Sequence, residues 1–319
     1  MFKYLTINQI TTKTTPFMLA DKIIEIFVKV DDFTLNFEQE IKNFHILESN
    51  PKSRNRKASL CDSEIITMLI AFHSGHFTNL KHFYLQHICV YYKNYFPGLV
   101  SYNRFVELQQ RVAIPMMLFL KMHCLGKSSG INFIDSTHIK SCHNRRIHNH
   151  KVFKGVAERG QCSIGWFYGF KLHLIINDKG EILSFYLTKG NVDDRNIKLM
   201  TSMTENIFGK LFGDKGYISK ALSDLLWGNG IQLITKPRKN MKGMNISQSD
   251  KILLRKRAII ECVNDELKNI CKLQHTRHRS INNFLLNIMG TLCAYAFFPK
   301  KPSLNIVFEE KSNQLFLAA

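Results

Sequence analysis

No apolar run in this sequence is long enough to cross a bilayer. The longest, Phe284 to Phe298, is interrupted by Asn287 and falls short of the roughly 20 residues a spanning helix needs. It reads as a buried helix. The N-terminus lacks the apolar core of a secretory signal. No two of the eight cysteines (Cys61, Cys89, Cys124, Cys142, Cys162, Cys262, Cys271, Cys293) have Cys-x-x-Cys spacing. Free thiols in a reducing cytoplasm fit that pattern. Internal repeats and low-complexity tracts are absent too, so repeat architectures do not apply.

Acidic residues are also scarce. Against 44 Lys+Arg stand 25 Asp+Glu, a net charge of +19. Such a surplus points to a polyanionic partner, most often nucleic acid. The surplus is not spread evenly, because residues 1–60 hold nine basic and seven acidic side chains. With 319 residues and 45% hydrophobic content, the chain can form one large domain or two ordinary ones.

Residues 17–30 carry helical periodicity, and 50–57 read as an exposed basic loop. From 60 to 125 the pattern is helical throughout. Ile65, Ile66, Leu69 and Ile70 form a stripe that ends at Ser74-Gly75. A second helix covers 80–92, and Ser101 caps a third. Helix-turn-helix DNA binding and an ordinary helical bundle fit this region equally.

After Gly130 the period changes. Ile131–Ile134 is a short strand ending at Asp135, and 136–163 reads as an irregular basic segment. Alternation over 168–176, a turn at 177–180 and a return through 187 predict a β-hairpin. Helices are expected from about 191 to 208 and over 219–227, with strands at 211–213 and 231–234. The succession is β, a hairpin of two β, α, β, α, β, then helices. It predicts an α/β ribonuclease H-like fold: a mixed five-stranded sheet flanked by helices, after an all-helical N-terminal region. The expected boundaries are 1–125 helical, 126–298 catalytic and 299–319 a tail.

Two aspartates stand at expected strand ends, Asp135 and Asp214. A helix over 251–273 sets Arg257, Glu261, Asp265 and Lys268 three or four residues apart on one face. Each alone reads as a turn cap or a solvated charge. Together, Asp135, Asp214 and Glu261 are a candidate set for two Mg²⁺ ions about 3.5–4 Å apart, the arrangement that phosphodiester chemistry uses. Asp193, Asp194, Asp265 and Glu266 compete for the role. Asp193 and Asp194 read first as helix caps, and Asp265 is the better substitute for Glu261. Cys142, His143, His148, His150 and Cys162 match no common zinc spacing.

Arg257-x-x-x-Glu261-x-x-x-x-x-x-Lys268 resembles the signature around the last acid of many bacterial insertion-sequence transposases. A Tyr usually stands three residues before the Arg; here that position is Leu254, so any role of the Tyr is absent or supplied elsewhere. Phe133-Ile134-Asp135-Ser136-Thr137, Gly190-Asn191-Val192-Asp193-Asp194-Arg195, Gly213-Asp214-Lys215-Gly216-Tyr217 and His275-Thr276-Arg277-His278-Arg279-Ser280 resemble the insertion sequence 982 family. The likeness runs from about residue 20 to 298. It implies a DDE transposase with a ribonuclease H-like core, with Asp135, Asp214 and Glu261 as catalytic and metal-binding acids. Two Mg²⁺, with Mn²⁺ as a substitute, would be its cofactors. Double-stranded DNA, as element ends and target, would be its partner. A homodimer or larger assembly on DNA and a bacterial, nucleoid-associated location are also implied.

Three basic runs accompany these acids. Lys140, Arg145 and Arg146 lie in the first. Lys236, Arg238 and Arg257 belong to the second, and Arg277 and Arg279 to the third. With Lys215 and Lys268 they are the expected contacts to DNA phosphates. The expected reaction is hydrolysis at the element end followed by attack of the freed 3′-OH on target DNA. The rivals are a ribonuclease H-like nuclease without strand transfer and an inactive DNA-binding relative.

Overall fold

The computed structural model describes residues 16–45, 58–162, 165–237, 241, 246–274 and 278–304. The chain divides into two compact units. One comprises 1–124, 149–154 and 265–298; the other comprises 125–148, 155–264 and 299–319. None of the described helices is long and apolar enough to cross a membrane.

The first unit is helical. In α1 (Pro16–His45), Leu19, Ile23, Ile26, Val30 and Phe33 recur at three- and four-residue steps and are buried, the stripe of an amphipathic helix. The helix α2 (Asp62–Ser74) is buried on all sides from Ser63 onward. It packs on α1 and on α11 (Ile281–Ala296). The segment read as a buried helix is α11, enclosed from Phe284 to Tyr295 apart from Leu285. Within it Thr291 Oγ1 donates to the Asn287 carbonyl at 2.8 Å. Between these helices run α3 (Leu80–His82), a π-helical segment (Phe83–Ile88) and α4 (Cys89–Tyr91). Next come α5 (Tyr102–Leu108) and α6 (Ala113–Phe119). Ser101 caps α5, its hydroxyl accepting from Arg104 N. Residues 265–298, read from the sequence as part of the catalytic segment, fall in this helical unit because α11 buries its faces against α2.

The second unit is built on a six-stranded sheet: β1 (Ile131–Cys142), β2 (Glu158–Cys162), β3 (Gly165–Asn177), β4 (Ile182–Lys189), β5 (Gly209–Gly213) and β6 (Ile231–Thr235). The order is β2-β3-β1-β5-β6, with β4 also pairing β3. The strand pairs β1/β3 and β3/β4 are antiparallel, while β1/β5 and β5/β6 are parallel. This is the ribonuclease H-like arrangement. The helices α7 (Ile197–Met203) and α8 (Lys220–Gly228) cover one face. There Ile134, Ile175, Met200, Leu222 and Leu226 share a buried core. The remaining helices are α9 (Gln248–Lys256) and α10 (Ala258–Asp265), with a turn at Arg257 between them.

The sheet differs from the sequence reading in two places. The first strand does not end at Asp135 but continues to Cys142. Its polar positions Ser136, His138 and Lys140 alternate with Thr137 and Ile139, which are buried, and β3 pairs with it along its length. The other difference is β2, whose sequence Glu-Arg-Gly-Gln-Cys holds no aliphatic or aromatic side chain. It is held by backbone pairing to 165–169 of β3, which no local pattern reveals.

Gly209 sets the parallel start of β5 against β1. Its φ is +81°, and a Cβ there would lie 2.5 Å from the Gly130 carbonyl oxygen. That same oxygen accepts from Lys210 N at 2.8 Å. Gly209→Ala is expected to destabilise the protein by about 1–3 kcal/mol, read as a lower urea midpoint at unchanged m value. A midpoint equal to the parent's would show that the junction relaxes freely.

Candidate functional site

Asp135 lies within the central strand. It is paired in register with Leu174 of β3 and flanked by Ile134 and Ser136. Neighbours along a strand face opposite sides, so Asp135 points away from the core that Ile134 enters. There Asn264 of α10 donates Nδ2 to its Oδ2 at 3.0 Å. Arg257 sets Nη1 3.8 Å from Asp135 Oδ1 and Nη2 2.6 Å from Glu261 Oε1. The guanidinium therefore lies between the two carboxylates as their counter-charge. Asp135 and Arg257 are 22% and 21% exposed, whereas Glu261 is 57% exposed. Asp214 follows β5 directly and caps a 3₁₀ turn, Lys215–Tyr217, with Oδ1 accepting from Gly216 N at 2.7 Å.

The electrostatics tie the three acids together. Burial pushes the Asp135 carboxyl up to about 6. Arg257 opposes that shift, while the negative charges of Asp214 and Glu261 add to it. Tyr217 reports the same field from the other face. Burial, then Asp194, Asp135 and Asp214, hold its hydroxyl protonated well above the usual phenol range.

Arg257 Nη1 and Asn264 Oδ1 are buried and have no hydrogen-bond partner among the described residues. Leaving such groups unpaired costs about 1–3 kcal/mol each. The oxygens of Asp135, Asp214, Glu261 and Asn264 are the donor chemistry a hard divalent cation takes. Among the described residues, no three His, Cys, Asp or Glu side chains stand close enough to hold an ion as they are. The Arg257–Glu261 pair is the contact that an ion would have to replace.

The competing acids have other partners. Asp193 is bound by Arg195 at 2.6 Å, and that contact pulls its carboxyl down to about 2. Asp194 pairs with Lys171 at 3.2 Å and lies 3.7 Å from His173. Burial takes His173 down to about 4, so the imidazole is neutral at pH 7. Asp265 and Glu266 belong to the helical unit, where Asn269 donates to Asp265 at 2.5 Å.

Among the expected DNA contacts, Lys140, Arg145, Arg146, Lys215 and Lys236 are exposed in the sheet unit. Arg257 faces carboxylates instead. Lys268 is half-buried and Arg279 exposed, both in the helical unit. Arg238 and Arg277 lie outside the described residues. Sequence reasoning missed Asn264 and Tyr217. Asn264 was legible in principle, three residues after Glu261 and seven after Arg257 on one helical face. Tyr217 stands in the Gly213-to-Tyr217 motif, but that motif assigns it no role at the site.

The raised Asp135 carboxyl has a pH consequence. Its folded value of about 6 exceeds the ordinary 3.8. The folded chain therefore keeps a proton that the unfolded chain has lost between those values. Without divalent cations, the Asp135 contribution to stability should fall as pH rises from 4 to 6, by up to about 3 kcal/mol. Asp135→Asn should remove that slope and raise Tm at pH 7, and Mg²⁺ should stabilise the parent but not the variant. Equal slopes in parent and variant would refute this account of Asp135.

No curated protein matches the chain. Among solved structures it is similar to a piggyBac transposase synaptic complex with hairpin DNA, determined by cryo-EM. The identity is 10% and the TM-score 0.44, over 91% of this chain and 76% of that one; a likeness this faint carries no argument. The span from 125 to 281, which holds Asp135, Asp214 and Glu261, matches the family described as Transposase DDE domain.

Proposed function

We propose that this chain is a DDE transposase of bacterial insertion-sequence type. It would cleave DNA at element ends and transfer the freed 3′-OH into target DNA. Asp135, Asp214 and Glu261 are the proposed catalytic acids. The observation that carries the reading is the partly buried Asp135 carboxylate, held by Asn264 and Arg257 and raised to about 6 by burial, with the charges of Asp214 and Glu261 adding to the shift. Three carboxylates sharing one field favour a cation at that place, and the match of 125–281 to the transposase DDE domain supports the same reading.

Asp135, Asp214 and Glu261 would hold two Mg²⁺, with Asn264 Oδ1 as a further oxygen. When bound, the ions would acidify the attacking water and stabilise charge on the leaving oxygen. The chain's own residues do the rest. Asn264 Nδ2 fixes the rotamer of Asp135. Arg257 balances the acids until the site is loaded and then has a free fork for a phosphate. Lys215, beside Asp214, and the exposed Lys140, Arg145, Arg146 and Lys236 hold the DNA backbone without reading its sequence. Arg238, Lys268, Arg277 and Arg279 complete the proposed contacts. Pairing of two ends on at least a dimer, in the bacterial cytoplasm, belongs to the same proposal, as does the likeness to the insertion sequence 982 family.

Asp135→Asn, Asp214→Asn and Glu261→Gln should each abolish Mg²⁺-dependent release of a 3′-OH and leave DNA binding intact. Full cleavage by any one of them removes that residue from the set. Asn264→Ala should lower cleavage by roughly 10–100-fold, as loss of a residue that orients a metal ligand does. Joining of pre-cleaved ends to target DNA separates a transposase from a nuclease that only cuts. Binding should weaken steeply with salt, and Lys140→Ala should reduce the slope of log K against log[salt] by about 1. A salt-insensitive affinity would remove the phosphate-contact assignment.

A further inference from the structure

A cavity in the helical unit is not used by the chemistry above. It has a volume of about 680 Å³, within the roughly 300–1,000 Å³ usual for small-molecule sites. Its walls come from α2, α3 and the residues just before it, α5 and the 3₁₀ turn that follows it, and α11 with the residues just before it. The lining is sorted by depth. Phe72, His73, Gln109 and Asn287 are buried, while Lys81 and Arg279 are exposed. No acidic residue is among the described residues that line it.

Gln109 is the telling residue. It is 2% exposed, and its Nε2 has no hydrogen-bond partner among the described residues. Asn283 Oδ1, also in the lining, is a buried acceptor with no partner among the described residues. Buried polar atoms are normally paired, so an orphan donor and an orphan acceptor in one cavity call for a ligand that presents both. Tyr102, half-buried at the wall beside Arg279, adds a flat surface. Amide edges, an aromatic face and a cationic rim suit a planar heterocycle that bears an anionic group.

We infer that this cavity binds an unpaired nucleotide, with the base against Gln109 and Asn283 and the phosphate toward Lys81 and Arg279. Reading of an extruded base by hydrogen bonds and stacking is how proteins take hold of nucleotides outside the duplex. That the nucleotide belongs to a DNA strand rests on the transposase reading; the pocket itself does not.

The test is fluorescence titration of the full chain without divalent cations, so that no strand is cut. The probes are a duplex with 2-aminopurine in an unpaired overhang, the same base inside a blunt duplex, and free deoxynucleoside monophosphates as competitors. Saturable quenching of the overhang, at least tenfold tighter than for the blunt duplex, is expected. Gln109→Leu and Tyr102→Ala should each weaken it about tenfold while Asp135→Asn leaves it unchanged. Tyr102→Ala, at the wall rather than the floor, keeps the test valid if Gln109→Leu does not fold. Competition by free monophosphates with the same dependence on Gln109 and Tyr102 supports the site with the free nucleotide as its ligand. Quenching unaltered in both folded variants, or no binding of any probe, overturns the inference. If the parent quenches as expected yet never cleaves DNA in Mg²⁺, the pocket stands and the transposase reading fails.

Discussion

A negative charge buried in the middle of a β-sheet is the constraint around which the sheet unit is arranged. Asp135 occupies a central strand whose neighbours Ile134 and Leu174 are fully buried. A carboxylate there loses much of its hydration, and its carboxyl rises to about 6. The Asn264 amide and the Arg257 guanidinium are what the fold supplies in compensation. Both come from the stretch around α10, so the packing of that helix and the ionisation of Asp135 are one problem. The surrounding charges make the problem worse rather than better, since Asp214 and Glu261 both oppose ionisation. Purely structural carboxylates are rarely gathered this way, whereas functional sites often show such perturbed groups.

Backbone geometry keeps that arrangement in register. Gly130 and Gly209 both have positive φ, and their close approach lets β1 and β5 start side by side. Asp214 leaves the sheet at the end of β5, and its own carboxylate ties down the turn that follows. Tyr217, at the end of that turn, enters the core that α7 and α8 form with Ile134. Core packing on one face and charge on the other are thus coupled through a few residues on β1 and just after β5.

The helical unit follows a different logic. Its α2 and α11 are buried on nearly every side, so their polar groups depend on partners within the unit. His73 shows how: its Nδ1 meets the Cys271 carbonyl at 2.7 Å, and burial keeps the imidazole neutral, with its value down at about 4. Not every group is paired: Thr67 Oγ1, Ser74 Oγ, Gln109 Nε2 and Asn283 Oδ1 are buried without a hydrogen-bond partner among the described residues.

Local pattern was enough for the elements whose side chains alternate or recur by themselves. The stripe of α1, the hairpin β3–β4, the Ser101 cap and the run that became α11 all follow from residue spacing within one segment, because the periods of helix and strand are local properties. The proposal of Asp135, Asp214 and Glu261 rests on motif and strand-end position, and of the two aspartates only Asp214 stands at a strand end. What only tertiary structure decided is whatever depends on a distant partner. Asp135 became interior to a strand because β3 pairs past it, and β2 exists because β3 offers a free edge. Arg257, read as a phosphate contact, is turned inward by two carboxylates. Residues 265–298 joined the helical unit because α11 buries its faces against α2. Each of these follows from pairing or burial between residues far apart in the chain, free energies that no window of neighbouring residues contains.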